Sequence, residues 1–329
     1  MSDFRKLFES FAGLRVGIIG DVMLDTYMWG AVDRISPEAP VPVVSLRKKE
    51  YRIGGAGNVA LNCRSLGSAA SILSVTGSDP EGDELKSLFE SHGIDTGWLL
   101  QSSGRITTNK TRIISRSQQM MRLDAEITRD LSTEEENDFL QTIARYLDTV
   151  KPHAVILEDY NKGVLTEKII RQTIQWCRER NIPVSVDPKR NNFFAYQGAS
   201  IFKPNLKEVK DALNITVADI TEENLRAIHR ELSARLQHTV SFITLSEKGV
   251  FYQQAEESRI IPSHMRNIAD VSGAGDTVIA MATLVYAVTG NVGLMAETAN
   301  IAGGLVCEEV GTAAINRDRL LQECESLLG

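Results

Sequence analysis

Residues 154–186 read AVILEDYNKGVLTEKIIRQTIQWCRERNIPVSV. A short apolar run (Ala154–Leu157), a helix-forming stretch (Thr166–Arg180) and a second apolar run (Pro183–Val186) make a strand–helix–strand unit. The pattern extends in both directions. Upstream lie a helix over Thr133–Leu147, a strand over Ser71–Val75 between helices Ala56–Leu66 and Gly82–Ser91, and a short strand Trp98–Leu100. Downstream come strand Ile201–Phe202, helices around Leu206–Leu213 and Glu222–Leu236, and strand Ser241–Leu245. A hairpin (Gly249–Gln253, Arg259–Pro262) then precedes two apolar helices, Ala274–Val288 and Met295–Val310. Leu14–Gly20 reads as a buried strand closed by Asp21. This rhythm predicts an α/β fold, a mainly parallel sheet with helices on both faces. Two segments break it. Tyr27–Leu46 carries Pro37, Pro40 and Pro42, which suit edge strands outside the core, and Arg105–Leu123 is extended and rich in Thr, Ile and Arg. The expectation is one α/β domain over residues 1–329 with a small β excursion.

Composition narrows the function. The 329 residues are 43% hydrophobic and 24% charged, with a net charge of −7, which disfavours a general binder of nucleic acid or anionic membranes. Cys63, Cys177, Cys307 and Cys324 are widely spaced, as buried thiols in a reducing compartment would be. The five histidines form no metal-ligand spacing. MSDFRKLFES has neither the basic stretch nor the apolar run of a signal peptide, and the apolar stretch Val278–Val288 is too short to span a bilayer. The expected location is the cytoplasm.

The sharpest chemical signal is Asp270-Val-Ser-Gly-Ala-Gly-Asp276-Thr277, which opens an apolar helix. Small residues before a helix leave backbone N–H groups bare, an anion cradle strengthened by the helix dipole. A carboxylate there opposes phosphate as a binder but suits a general base acting on a hydroxyl. A glycine-rich turn capped by Asp276 is the plainer alternative. In Gly54-Gly-Ala-Gly-Asn58-Val-Ala60 the glycines admit a ligand close to the backbone and Asn58 offers donor and acceptor. A tight strand-to-helix connection explains the same residues. Asp21 and Asp25, at a strand end, suit vicinal sugar hydroxyls, and Asp21 equally suits a cap. Asn205 and Glu208 share one face of a helix start. There they fit phosphate and water-bridged Mg²⁺, or a capping box. No Walker A sequence and no protein-kinase signature occurs.

These four signals, in this order, resemble the ribokinase-type (phosphofructokinase-B) carbohydrate kinase family from about Leu14 to the C-terminus. Gly54–Ala60 is similar to its first signature and Asp270–Thr277 to its second. Ser272 stands where the family usually has Thr, and Val278 where Phe is frequent. The resemblance implies a ribokinase-like fold, ATP and Mg²⁺. It implies Asp276 as base and Gly273, Ala274 and Gly275 as anion hole, with Asn205 and Glu208 ordering triphosphate and metal, Glu208 through water. It assigns Asp21, Asp25, Gly54, Gly55 and Asn58 to the sugar, and Thr244, Ser246, Gly249, Asn300 and Gly303 to the nucleotide. A β lid from about residues 26–48 and 105–123, serving as the interface of a homodimer, is implied as well.

Five further segments resemble the heptose-phosphate branch of that family: 20–27 (GDVMLDTY), 34–43 (RISPEAPVPV), 116–124 (RSQQMMRLD), 158–163 (EDYNKG) and 187–189 (DPK). That branch phosphorylates C1 of D-glycero-β-D-manno-heptose 7-phosphate on the route to ADP-heptose and lipopolysaccharide. The resemblance implies a stand-alone kinase with a separate adenylyltransferase in the pathway. The substrate's own phosphate needs cations. Arg105–Arg122 holds five (Arg105, Lys110, Arg112, Arg116, Arg122) and no carboxylate, and on a regular strand Lys110, Arg112 and Arg116 would share a face. Arg112, Arg116, Lys162 and Lys189 are the candidate phosphate ligands; a solvated strand face is the alternative. Two other readings compete: a kinase of another sugar or phosphosugar, and a non-catalytic sugar or nucleotide sensor, which would not need Asp276.

Overall fold

The computed structural model describes residues 3–116, 118–217 and 219–329. Helix α1 (Phe4–Ser10) is capped by Asp3 and buries Phe4, Leu7 and Phe8. Then come β1 (Arg15–Gly20), β2 (Val22–Ile35), β3 (Pro42–Gly55), α2 (Ala56–Ser65), β4 (Ala69–Gly77), α3 (Pro80–Ser91) and β5 (Asp95–Ser102). The extended 105–123 stretch resolves into two antiparallel strands, β6 (Asn109–Ser115) and β7 (Gln118–Ala125). Next are α4 (Thr133–Val150), β8 (Ala154–Glu158), α5 (Glu167–Glu179), β9 (Val184–Asp187), β10 (Ile201–Phe202), α6 (Leu206–Leu213) and α7 (Glu222–Leu236). The chain ends with β11 (Val240–Thr244), β12 (Val250–Gln254), β13 (Glu257–Ile261), α8 (Ala274–Thr289), α9 (Val292–Val306) and α10 (Arg317–Leu328). Helix α9 starts before the expected Met295, because the Asn291 side chain caps it through the Leu294 N–H, and it stops short of Val310. Helices α1 and α10 lie outside the elements read from sequence.

Nine strands form one sheet in the order β13-β12-β11-β10-β9-β8-β1-β4-β5. All neighbours pair in parallel except β11–β12 and β12–β13. Side chains alternate between the faces, so adjacent Ile18 and Ile19 of β1 enter different cores. One core packs α1, α2, α3, α8, α9 and α10 against the sheet; the other packs α4, α5, α6 and α7. This is the α/β architecture expected from the sequence, a mainly parallel sheet with helices on both faces. The alternating elements bury both faces, as a parallel sheet requires.

The second sheet has the order β3-β2-β6-β7. Its inner end adjoins β1 and α2, because only Asp21 separates β1 from β2 and β3 runs directly into α2. There Val22 pairs with Gly55 and Met23 with Gly54. Farther out the sheet is open to solvent, and every described residue of β7 is exposed. Among the described residues no helix is long and apolar enough to cross a membrane.

Candidate active site

Strand β1 lies between β4 and β8, so successive connections leave it in opposite directions. Such a reversal opens a crevice at the carboxyl ends of the strands, the usual ligand position in open α/β sheets. Asp21, Glu158, Asp187, Lys203 and Thr244 all stand at or just beyond those ends. The start of α8 is seated over them. A β-carbon built on Gly275 would lie 3.6 Å from both Asp187 Oδ2 and Lys203 Nζ.

Asp276 is in the first turn of α8 and only 4% exposed. Asn58 Nδ2 donates to its Oδ2 at 2.7 Å, and the Tyr160 hydroxyl donates to its Oδ1 at 2.8 Å. Burial pushes its carboxyl up to about 6, against these two donors and Lys203. Gly273 takes φ of 80° before the helix, and a β-carbon there would come within 2.8 Å of Asn58 Nδ2. Only glycine meets both demands easily. The N–H groups of Gly273, Gly275 and Asp276 have no backbone acceptor among the described residues. The Ala274 N–H, by contrast, is directed at Val271 O, 3.3 Å away, which takes it out of the expected anion hole. The bare amides, the helix dipole and the adjacent carboxylate can together hold negative charge and accept a proton.

Of the residues expected around a sugar, Asp25 and Arg112 are paired with each other, Nη1 to Oδ1 at 2.5 Å. Gly54 lies close against Asp25 and Gly55 against Asp21. Asn58, expected at the sugar, is fully buried and donates to the Asp276 carboxylate, which it steadies. Asp21 differs in the same way. Its carboxylate accepts the N–H groups of Tyr160, Lys162 and Val164 at 2.8, 3.1 and 3.0 Å and thereby shapes the loop after β8.

The expected row of cations is also rearranged. Strand β6 ends at Ser115, and Arg116 sits on the turn beyond it with φ of 49°, outside the strand that carries Lys110 and Arg112. Its neighbour Ser117, within the 116–124 segment, lies outside the described residues. Lys162 pairs with Glu126 at 2.7 Å. Lys189 pairs with Glu208 at 2.9 Å and Asp187 at 3.6 Å. Lys110 has no carboxylate within ion-pair distance among the described residues and reaches over the Tyr160 ring. Burial, then nearby Lys162, pushes its ammonium down.

On the other side of the crevice Asn205 and Glu208 form a full capping box at the start of α6. Glu208 Oε2 accepts the Asn205 N–H and Oε1 accepts Lys189. The Lys189 ammonium thus stands between Glu208 and Asp187. Among the described residues no three His, Cys, Asp or Glu side chains gather as a metal nest. This donor set would suit a hard cation carried chiefly by substrate phosphates, which Glu208 would hold through water. Thr244 bridges to Asn205 at the end of β11, and Ser246 and Gly249 form the turn that follows. Asn300 donates to Pro262 O at 2.9 Å. Gly303 serves packing: a β-carbon there would lie 2.5 Å from Val278 Cγ2, so it lets α9 approach α8.

Three participants were not singled out from the sequence. Tyr160 reaches Asp276. Lys203, 3% exposed, pairs with Asp187 at 2.7 Å, and Asn62 links α2, α8 and Ile315 through Thr277 and its own amide. Burial pushes Asp187 up, but Lys189 and Lys203 outweigh it and hold the carboxyl low. Glu158 has no hydrogen-bond partner for its carboxyl oxygens among the described residues: burial, then Asp187 and Asp276, pushes it well up, against Lys203 and Lys189. Position gave the only available signals, since Lys203 lies two residues before Asn205 and Asn62 four after Asn58.

Comparison with known proteins adds to this geometry. A family model described as pfkB family carbohydrate kinase matches residues 15–319. The bifunctional protein HldE of Geobacter sulfurreducens is 38% identical over 314 residues, covering 94% of this chain and 63% of that protein. The bifunctional protein HldE of Methylobacillus flagellatus is 41% identical over 309 residues, with coverages of 94% and 63%. The chain therefore spans less than two thirds of these relatives. Phosphofructokinase-2 from Escherichia coli in complex with potassium superposes with a TM-score of 0.78 at 18% identity, covering 96% of this chain and 98% of that one. Arabidopsis thaliana ribokinase complexed with ribose and ATP gives 0.72 at 14% identity, covering 94% and 99%.

Proposed function

The chain belongs to the pfkB family of carbohydrate kinases, and we propose that this sugar kinase phosphorylates the C1 hydroxyl of D-glycero-β-D-manno-heptose 7-phosphate with ATP. The observation that carries the reading is Asp276, a buried carboxylate steadied by Asn58 and Tyr160 beside the bare amides that open α8. The acceptor hydroxyl gives its proton to Asp276 while its oxygen bonds to the γ-phosphorus. The bond from that phosphorus to the bridging oxygen breaks, and ADP leaves. The amides of Gly273, Gly275 and Asp276, with Lys203 below, offset charge on the transferring group. A carboxyl near 6 is mostly ionised at neutral pH and still basic enough to take the proton.

Asn205, Thr244, Ser246 and Gly249 are assigned to the nucleotide, with Asn300 beyond them. Glu208 would hold, through water, a Mg²⁺ brought with ATP, which would supply charge neutralisation. Asp25, Arg112 and the Gly54–Gly55 backbone are assigned to the sugar, and Lys110 to its 7-phosphate. Both HldE relatives and the segments shared with the heptose-phosphate branch support this acceptor. Val41, Leu46, Met120, Met121 and Leu123 expose apolar surface on the outer sheet, which supports its use as a lid and homodimer interface.

ADP release measured with heptose 7-phosphate, fructose 6-phosphate, ribose and mannose tests the reading. Heptose 7-phosphate should give the highest kcat/KM, and Asp276→Asn should lower its kcat about 10²–10⁴-fold. Preference for another sugar would replace the acceptor. ATP binding without turnover of any sugar would favour a sensor.

A further inference from the structure

Tyr160 spans the crevice from the loop after β8 to the first turn of α8. Its hydroxyl donates to Asp276 Oδ1 at 2.8 Å, while Asn58 Nδ2 takes Oδ2 at 2.7 Å. Among the described residues these are the side-chain donors to that carboxylate. Tyr160 is itself fixed from several directions. Its N–H donates to Asp21 Oδ2, and its ring lies 5.8 Å from Lys110 Nζ and 5.5 Å from Lys189 Nζ. Cations near a ring face favour that placement. The phenol is pushed well up by burial and then by Asp276, so it stays protonated and remains the donor.

Resting on the reading of Asp276 as the base, we propose that Tyr160 is a positioning residue that aims this carboxylate and keeps it ionised at working pH. The groups facing Asp276 come from every neighbouring element: Glu158 of β8, Asp187 of β9, Lys203 after β10, Asn58 of α2 and Tyr160 itself. Burial and the like charge of Asp187 favour the protonated carboxyl, whereas Lys203 and the two hydrogen-bond donors favour the carboxylate. Of these, the tyrosine hydroxyl is the one group that can be deleted as a single atom with its ring and both lysine contacts retained.

The test compares the full chain with its Tyr160→Phe variant, each labelled with ¹³C at the aspartate carboxyls and with Asp276→Asn used to assign the signal. The Asp276 midpoint should rise by about one pH unit in Tyr160→Phe, the worth of one hydrogen bond to a charged acceptor. The acidic limb of kcat/KM should rise with it. The loss of kcat should then be roughly tenfold greater well below the limb than at pH 8, with KM for ATP unchanged. A titration midpoint that does not move overturns the proposal, including when the variant is less active or melts earlier, because that pattern belongs to packing alone. The carboxyl titration needs no turnover. A shifted midpoint in a protein inactive on every sugar would therefore fail the kinase reading and leave the role of Tyr160 standing.

Discussion

A cation already seated on a carboxylate contributes less to capturing a ligand anion than one without a partner. Arg112 holds Asp25, Lys162 holds Glu126, Lys189 holds Glu208, and Arg122 holds Asp124 at 2.9 Å. Arg105 is turned toward the carbonyls of Arg129 and Lys162. Lys110 differs: it is half-buried over Tyr160, with burial and Lys162 both weighing against its charge, so an incoming phosphate would relieve an unfavourable position. Lys110→Ala is accordingly expected to raise KM for a phosphorylated acceptor by about 10–100-fold, the worth of one charge-assisted hydrogen bond. The kcat at saturation should change much less. Initial rates over a range of heptose 7-phosphate concentrations check this, and an unchanged KM removes Lys110 from the phosphate site. Sequence showed that this segment is cationic, because charge is written in residue type. It could not show which of these cations are paired, because Asp25 reaches Arg112 only through the β2–β6 pairing.

At the scale of elements, the strand–helix rhythm around residues 154–186 was legible because each buried strand is a short apolar run bounded by polar residues or turns. The β6–β7 turn was hidden: Arg116 adopts a left-handed conformation with no glycine to announce it. The capping box at Asn205 and Glu208 was one of two readings of the same spacing, and α6 does form it. The resemblance linked Gly303 to the nucleotide, whereas the fold uses it where α9 crosses α8, a contact between residues 25 positions apart. Gly303→Val should therefore act through packing. The added carbons meet Val278 and cost about 1–3 kcal/mol, so the melting temperature should fall by a few degrees. Gly13→Ala is the control, because a β-carbon there meets nothing within 4 Å. Calorimetry of both variants decides it. An unchanged transition for Gly303→Val would mean that the α8–α9 contact yields more than the geometry allows.

Across the whole molecule, the crevice gathers buried carboxyls that folding must accommodate. Burial is the leading cause that raises Asp21, Glu158, Asp159 and Asp276, with Asp159 and Asp276 each reaching about 6. Asp187, between two lysines, is held low against its burial. A carboxyl with a raised folded-state value binds its proton more tightly in the native chain than in the unfolded one. Its favourable contribution is complete below about pH 4 and is lost as pH rises through about 6. For Asp276, the rise from 3.8 to about 6 corresponds to roughly 3 kcal/mol of native-state stability lost by neutral pH. On the proposed reading of Asp276 as the base, this is the stability–activity conflict expected of a preorganised group. Asp276→Asn removes the ionisation but leaves one of the two donors, Asn58 or Tyr160, without its acceptor, so the absolute change at any one pH mixes both effects. The pH dependence separates them. The melting temperature of Asp276→Asn relative to the native sequence should climb by a few degrees between pH 4.5 and 7 and then level off. A difference that stays constant over that range would show that Asp276 ionises in the folded chain as readily as in the unfolded one, and that the crevice imposes no electrostatic cost on this carboxyl.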